Sequence, residues 1–194
     1  TAYTLSIGPV TIDKSRFDKE EMGRNALYMP DAEAAKKAQA YLEGCMKEKN
    51  SSGGMVECVI KGVPAGIGEP AFEKLDANLA KAVFSIGAVK SFEVGAGIAA
   101  ASSDGLHNND AYRMDEEGNV KKKTNHSGGI TGGISDGTPI LIRAAFKPTP
   151  SVAAVQETVN RQGENIEISI KGRHDPIIVP RAVVVVESMA ALVV

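Results

Sequence analysis

Residues Tyr3 to Ile12 alternate in polarity, with Tyr3, Leu5 and Ile7 on one side, a period of two that predicts a strand. Pro30 and Asp31 then open a run in which Ala34, Ala35, Ala38, Tyr41, Leu42 and Cys45 recur at helical spacing, with Asp31 placed to cap the helix. The stretch Asn50-Ser51-Ser52-Gly53-Gly54 reads as a linker that ends this unit. Met55 to Lys61 predicts a second strand, with Val56, Cys58 and Ile60 on one face. Phe72, Leu75, Leu79, Val83 and Ile86 form the apolar stripe of a second helix, and a further strand is expected near Lys90 to Val94. The order β-α-β-α-β predicts a layered sheet with helices on a face.

Between about 95 and 137 the chain is loop-rich, with Gly, Ser, Asp and Asn and little sustained periodicity. A loop this long within a domain is usually functional or disordered. The run Lys121-Lys122-Lys123 reads as a solvated surface, with a phosphate contact as the alternative. Alternation returns at Ile140 to Lys147 and again at Glu164 to Lys171, where Ile166, Ile168 and Ile170 oppose polar neighbours. These two segments predict antiparallel strands with one polar face. From Pro180 the pattern is ambiguous: proline suits a first helical turn, whereas the valine run that follows favours a strand.

Composition narrows the function. With 194 residues the chain forms one domain or two small ones, and 43% hydrophobic against 24% charged residues is ordinary for a globular protein. A net charge of -2 argues against nucleic-acid and anionic-membrane partners. Aromatic residues at 5%, with no Trp, leave little for a base-stacking or carbohydrate platform. Cys45 and Cys58 sit in apolar-patterned segments without metal ligands nearby, so buried free thiols, a reducing cytoplasmic setting and no metal site are expected. No stretch resembles a signal peptide, and the valine run is broken by Glu187 and Ser188 before it could span a membrane. Thr1 rather than Met opens the chain and Glu187 to Val194 ends on apolar residues, so a piece of a longer protein is expected.

Four segments carry more than packing patterns. Gly62-Val63-Pro64-Ala65-Gly66-Ile67-Gly68-Glu69-Pro70 is either a turn that aims the next helix or part of a site. In Asn125 to Gly137 five glycines would let backbone N–H groups approach an anion, although no Walker or dinucleotide pattern is present; a purely structural loop is the alternative. Lys147-Pro148-Thr149-Pro150-Ser151 offers a cation and two hydroxyls on a stretch stiffened by two prolines, which suits a phosphate or a capped surface turn equally. Gly172-Arg173-His174-Asp175-Pro176 sets a bidentate cation beside two proton-transfer groups at a strand end.

Taken in order, GVPAGIGEP, AVFSIGAVKS, NHSGGITGGISDGTPI, KPTPS, NRQGE and GRHDPIIVPRAVVVVESM resemble chorismate synthase over almost the whole chain. The resemblance implies the C-terminal half, residues 1–194, of an α+β sandwich of related halves that assembles as a homotetramer. It favours a helix after Pro180. It implies conversion of 5-enolpyruvylshikimate 3-phosphate to chorismate and phosphate by an anti-1,4-elimination that needs reduced FMN.

By the same resemblance Gly132 lies against FMN, and Lys147, Pro148, Thr149, Pro150 and Ser151 belong to the segment that holds it. Gly87 and Ala88 make a further backbone contact, although the family often has Asn or Pro where this chain has Gly87. Arg173 matches an arginine facing flavin and substrate, and Asp175 an acidic residue near the flavin that helps to move the substrate proton. The family's GESHG-like and GGGRSS-like segments, with a catalytic histidine and further arginines, do not occur here, and His107, His126 and His174 match neither catalytic histidine. The chain alone is therefore expected to be inactive and prone to self-association through uncovered apolar surface. A non-catalytic FMN- or phosphate-binding module, or an oligomerising scaffold, is the alternative.

Overall fold

A computed structural model describes residues 1–172 and 174–194; Arg173, singled out above, lies outside the described residues. Contacts divide the chain into two units, one of Thr1–Ala2, Val56–Ala145 and Val183–Val194, the other of Tyr3–Met55 and Phe146–Ala182.

The second unit begins with an antiparallel hairpin of β1 (Ala2–Ile7) and β2 (Val10–Thr11), in which Ser6 pairs with Thr11 and Ile7 with Val10. The single strand expected over Tyr3 to Ile12 is thus broken at Gly8, whose φ of +49° turns the chain. Every residue of β1 is buried, Thr4 and Ser6 included, so the expected one-sided burial is replaced by burial on both faces. The helix α1 (Ala32–Lys47) buries Ala34, Ala35, Ala38, Leu42 and Cys45, the stripe read from the sequence except for Tyr41, which is half-buried.

Asp31 caps α1 as expected, accepting the N–H groups of Glu33 at 3.0 Å and Ala34 at 3.1 Å. It also accepts the Asp13 N–H at 2.9 Å and the Arg16 guanidinium at 2.9 Å, and its side chain is 1% exposed. Burial by itself would raise the Asp31 pKa, but Arg16 and the donated N–H groups of Asp13 and Ala34 hold it well below the usual carboxylate range.

In the first unit β3 (Gly54–Ile60) is followed by α2 (Leu75–Phe84) and β4 (Val89–Val94). Leu75, Leu79 and Val83 are buried, but Phe72 is 91% exposed in a separate 3-10 turn over Ala71–Glu73. Lys74, with ψ 142°, breaks the backbone between them, so the stripe expected from Phe72 to Ile86 begins at Leu75, and Ile86, half-buried, lies past the helix end. The loop-rich segment holds short elements: α3 (Gly105–Asn108), a hairpin of β5 (Tyr112–Met114) and β6 (Val120–Lys122), and a second of β7 (Ile130–Thr131) and β8 (Ile134–Ser135). The strand β9 (Ile140–Phe146) alternates as predicted and lies between β3 and β4, with Ile140, Ile142 and Ala144 in the core.

The other side of β9 carries an ion pair. Arg143 Nε lies 2.6 Å from Glu57 of β3 and Nη1 donates to the Gly95 carbonyl at 3.0 Å, with Glu93 of β4 at 3.6 Å. Glu57 is 1% exposed, so Arg143 sets a positive charge against a buried carboxylate.

Back in the second unit, Asn165 to Ile168 forms β11, but its partner is β10 (Gln156–Val159), a strand the pattern did not announce. Ile166 is 40% and Ile168 45% exposed, so the isoleucine face expected to be buried is open. The ambiguity after Pro180 resolves as α4 (Val179–Val193), which buries Val179, Ala182, Val183, Val186 and Ala190 and leaves Val184 and Val185 exposed. That spacing is a helical stripe, which the valine run conceals. No helix among the described residues is long and apolar enough to cross a membrane.

The Asp31 cap yields a prediction. Its depressed pKa means the stabilisation is present above the unfolded value of about 3.9 and is lost as pH falls toward the folded value. Asp31→Ala is expected to cost about 0.5–2 kcal/mol at pH 7, the usual range for a lost cap. Thermal melts as a function of pH should show the gap between wild type and Asp31→Asn closing as the medium is acidified through the carboxylate range.

Candidate functional site

The glycine-rich loop of the first unit turns at Gly132-Gly133 between β7 and β8, where φ is +63° and +86°. Positive φ at both central residues is what a two-residue hairpin of this hand demands. The Gly62–Pro70 turn is bonded to this hairpin. Ser135 Oγ donates to the Pro64 carbonyl at 2.7 Å and accepts the Ile67 N–H at 2.9 Å, while the Gly66 N–H donates to the Ser135 carbonyl at 2.9 Å. The Gly133 carbonyl then accepts the Leu75 N–H at 2.8 Å and starts α2, which has no side-chain cap. Two motifs that read as separate candidates are therefore one object.

Most glycines of this loop serve internal packing. A side chain on Gly128 would strike the Gly95 backbone, and one on Gly129 would come within 2.7 Å of the Pro139 carbonyl oxygen. Gly133 is filled by the Lys74 side chain. Gly132 has nothing within 4 Å of where a Cβ would stand. The expected cluster of five ligand-facing glycines reduces to an open face at Gly132, with Gly137 against Ala65 alone. Gly87 is similarly open, and Ala88 beside it adopts φ +70° in the turn that leads into β4.

Lys122 corrects the reading of the lysine run. Its side chain is 4% exposed, and Nζ lies 2.5 Å from Asp136 and 3.6 Å from Asp110 and donates to Ser127 Oγ at 2.8 Å. Asp110 also accepts the Ser127 N–H at 3.0 Å, the Thr124 hydroxyl at 2.7 Å and the His126 N–H at 2.7 Å. Burial opposes ionisation of both carboxylates, yet these donors hold Asp110 well below its ordinary range, and Lys122 with Thr138 lowers Asp136. The Lys122 ammonium is an internal strut of the glycine-rich loop. Lys121, exposed, pairs with Asp115 at 2.6 Å.

In the second unit, the Lys147–Ser151 and His174–Pro176 segments meet. A cleft of about 170 Å³ is lined by Asn50, Ser51, Ser151, His174, Asp175 and Pro176, among others. Lys147 is exposed, and it makes no ion pair with a described residue. Thr149 Oγ1 is buried without a hydrogen-bond partner among the described residues. Asp175 Oδ2 is 2.7 Å from Arg181 Nη1, and Oδ1 accepts from Nη2 at 3.3 Å. His174 Nε2 lies 3.2 Å from the Ile170 carbonyl oxygen, so it is the donor in that contact.

Sequence reasoning missed Asn50, Ser51 and Arg181. The first two sit in what reads as a linker; Arg181, six residues beyond Asp175 at the start of a helix, had a signal in that spacing. Of Lys147, Thr149 and Ser151, Ser151 lines the cleft and the other two do not; a cation and two hydroxyls on one segment are groups that suit an anion. At about 170 Å³ the cleft is smaller than the roughly 300–1,000 Å³ of sites that enclose a drug-sized ligand.

The fold and these loops define an α+β protein whose polar groups gather at strand ends. A family model described as chorismate synthase matches residues 1–194, and the chain belongs to that family. It is 65% identical over 190 residues to a chorismate synthase from Agathobacter rectalis, covering 98% of this chain and 52% of the relative. The chorismate synthase of Lachnoclostridium phytofermentans is 63% identical over 190 residues, with the same shares covered. A solved structure entitled "Crystal Structure of Chorismate Synthase" superposes with a TM-score of 0.79 at 28% identity, covering 99% of this chain and 54% of that one. The chain thus spans about half the length of the curated relatives it matches.

Lys122→Met should leave Asp110 and Asp136 without their cation, at an expected cost of about 3–5 kcal/mol. Denaturant unfolding checks the magnitude, and limited proteolysis should show new cleavage between residues 108 and 137.

Proposed function

We propose that this chain is one half of an enzyme that converts 5-enolpyruvylshikimate 3-phosphate to chorismate and phosphate in the cytoplasm. The observation that carries the reading is the match of the chorismate synthase family model to residues 1–194, at about half the length of the relatives. The reaction is an anti-1,4-elimination, and reduced FMN, when bound, supplies the electron density that eases departure of phosphate from an unactivated carbon.

The chain's own residues bind and orient. Lys147 places a positive charge, and Thr149 and Ser151 place hydroxyls, for the cofactor phosphate; Pro148 and Pro150 limit the motion of that segment. Gly132 leaves room for close approach to the flavin, and Gly87 and Ala88 contribute backbone contacts. Arg173 supplies a bidentate clamp for phosphate or carboxylate. Asp175, held by Arg181, is oriented to accept a proton from substrate. In this reading the other half brings the GESHG-like and GGGRSS-like segments, and the whole assembles as a homotetramer. The two halves together form chorismate; this one alone does not.

Mixing this chain with the other half, taken from a full-length relative, tests the reading under reducing conditions with FMN. Chorismate is expected from the mixture and from neither half separately. Formation by this chain alone, or none from a mixture of two folded halves, would overturn it. Flavin quenching without chorismate would leave a binding module, and neither signal a scaffold. In the complete protein, Lys147→Ala is expected to weaken FMN about 10- to 100-fold, the loss of a charge-assisted hydrogen bond.

A further inference from the structure

The segment Asn50 to Gly54 carries no chemistry in the sequence reading, yet it is bonded to both polar segments of the second unit. Ser51 Oγ donates to the Thr149 carbonyl at 2.7 Å. The Ser52 N–H donates to the Pro176 carbonyl at 2.8 Å, and the Lys49 carbonyl accepts the Ala154 N–H at 3.2 Å. Gly53 lies against the strand exit, where a Cβ would stand 2.5 Å from the Phe146 carbonyl oxygen and 3.2 Å from Pro148 Cδ. The Asn50 side chain accepts the Ser51 N–H at 2.8 Å and sets the turn. These bonds reach across long stretches of chain, and a surface linker has no need of them.

The segment they hold has little else to hold it. Pro148 and Pro150 have no N–H to donate, so residues 147–151 are poorly supplied with backbone bonds of their own. Their own stiffness sets the shape of the segment but not its place. The Ser51 hydroxyl fixes that place at Thr149, in the middle, and the neighbouring Ser52 amide fixes Pro176, next to Asp175. Two consecutive residues therefore set the separation between the donors at Lys147–Ser151 and the carboxylate at Asp175.

We propose that Ser51 is a positioning residue for the cofactor site, acting through the Thr149 carbonyl to hold Lys147, Thr149 and Ser151 at a fixed distance from Asp175. The inference rests on the FMN reading given above and extends it to a residue that would not itself touch the flavin. A site whose donors are pre-placed spends less of its binding energy on ordering them, so loss of the strut should appear in cofactor affinity more than in folding stability.

The experiment uses the complete protein and its Ser51→Ala, Ser51→Thr, Ser51→Cys and Lys147→Ala variants. FMN affinity is read from flavin fluorescence, and the melting temperature is read without FMN. Ser51→Ala is expected to raise the FMN Kd about tenfold, the equilibrium factor of one lost hydrogen bond, with the flavin-free melting temperature nearly unchanged. Ser51→Thr keeps the hydroxyl and should bind within about twofold of wild type, and Ser51→Cys, a weak donor of similar shape, should fall between. A Ser51→Ala variant that melts early yet binds FMN normally would make Ser51 merely structural and sink the proposal, as would a Ser51→Thr variant as weak as Ser51→Ala. Should Lys147→Ala weaken FMN while Ser51→Ala does not, the positioning role alone fails. Should Lys147→Ala bind FMN like wild type, the underlying cofactor reading fails with it.

Discussion

The candidate site in the second unit stands on the absence of a side chain at residue 53. With a Cβ there, the loop could not lie flush against the Phe146 carbonyl and the Pro148 ring. That contact brings Ser51 within 2.7 Å of the Thr149 carbonyl and aligns the Ser52 amide with Pro176. A steric allowance at one position thereby becomes a polar arrangement at several others. The conformational cost of a glycine is offset by hydrogen bonds that no other residue would permit.

The first unit uses the same device with a different result. Gly95 and Gly128 face each other so closely that either side chain would enter the other's backbone or the His126 carbonyl. The approach allows Gly95 N–H to donate to Leu141 at 2.9 Å and Leu141 N–H to donate to Gly128 at 3.1 Å, which joins the loop to the edge of β9. Lys122 then neutralises the carboxylates that the loop turns inward. Glycines here make a rigid seat, and only the exposed tip at Gly132 keeps an open face. A ligand approaching that tip would meet an ordered turn rather than a loop that must first be arranged.

Membership in the chorismate synthase family is consistent with where the polar groups lie. They cluster at the ends of β9 and β11 and in the loops that leave them, while most buried positions of the strands are apolar. Asp175 with Arg181 illustrates the economy of that plan: the charge is held by a helix that begins four residues later, so its orientation comes from the fold. The chain spans about half the length of the curated relatives it matches.

The sequence by itself determined the elements whose pattern is local. The stripe of α1 with its Asp31 cap, the alternation of β9 and the β-α-β-α-β order of the first ninety or so residues were legible because their period and caps lie within one element. So were the polar segments Lys147–Ser151 and Gly172–Pro176, which stand out by residue type. Only the tertiary structure decided what depends on distant partners. Phe72 falls outside the α2 stripe because Gly133 fixes where that helix starts. Ile166 and Ile168 are open because β11 pairs with β10 and has no layer over it among the contacts of its unit. Lys122 is buried because Asp110 and Asp136 converge on it, although its neighbours in sequence are solvated lysines. The linker at Asn50–Gly54 is a strut for the same reason: hydrogen bonds form between groups that folding brings together, and a local pattern carries no record of which groups those will be.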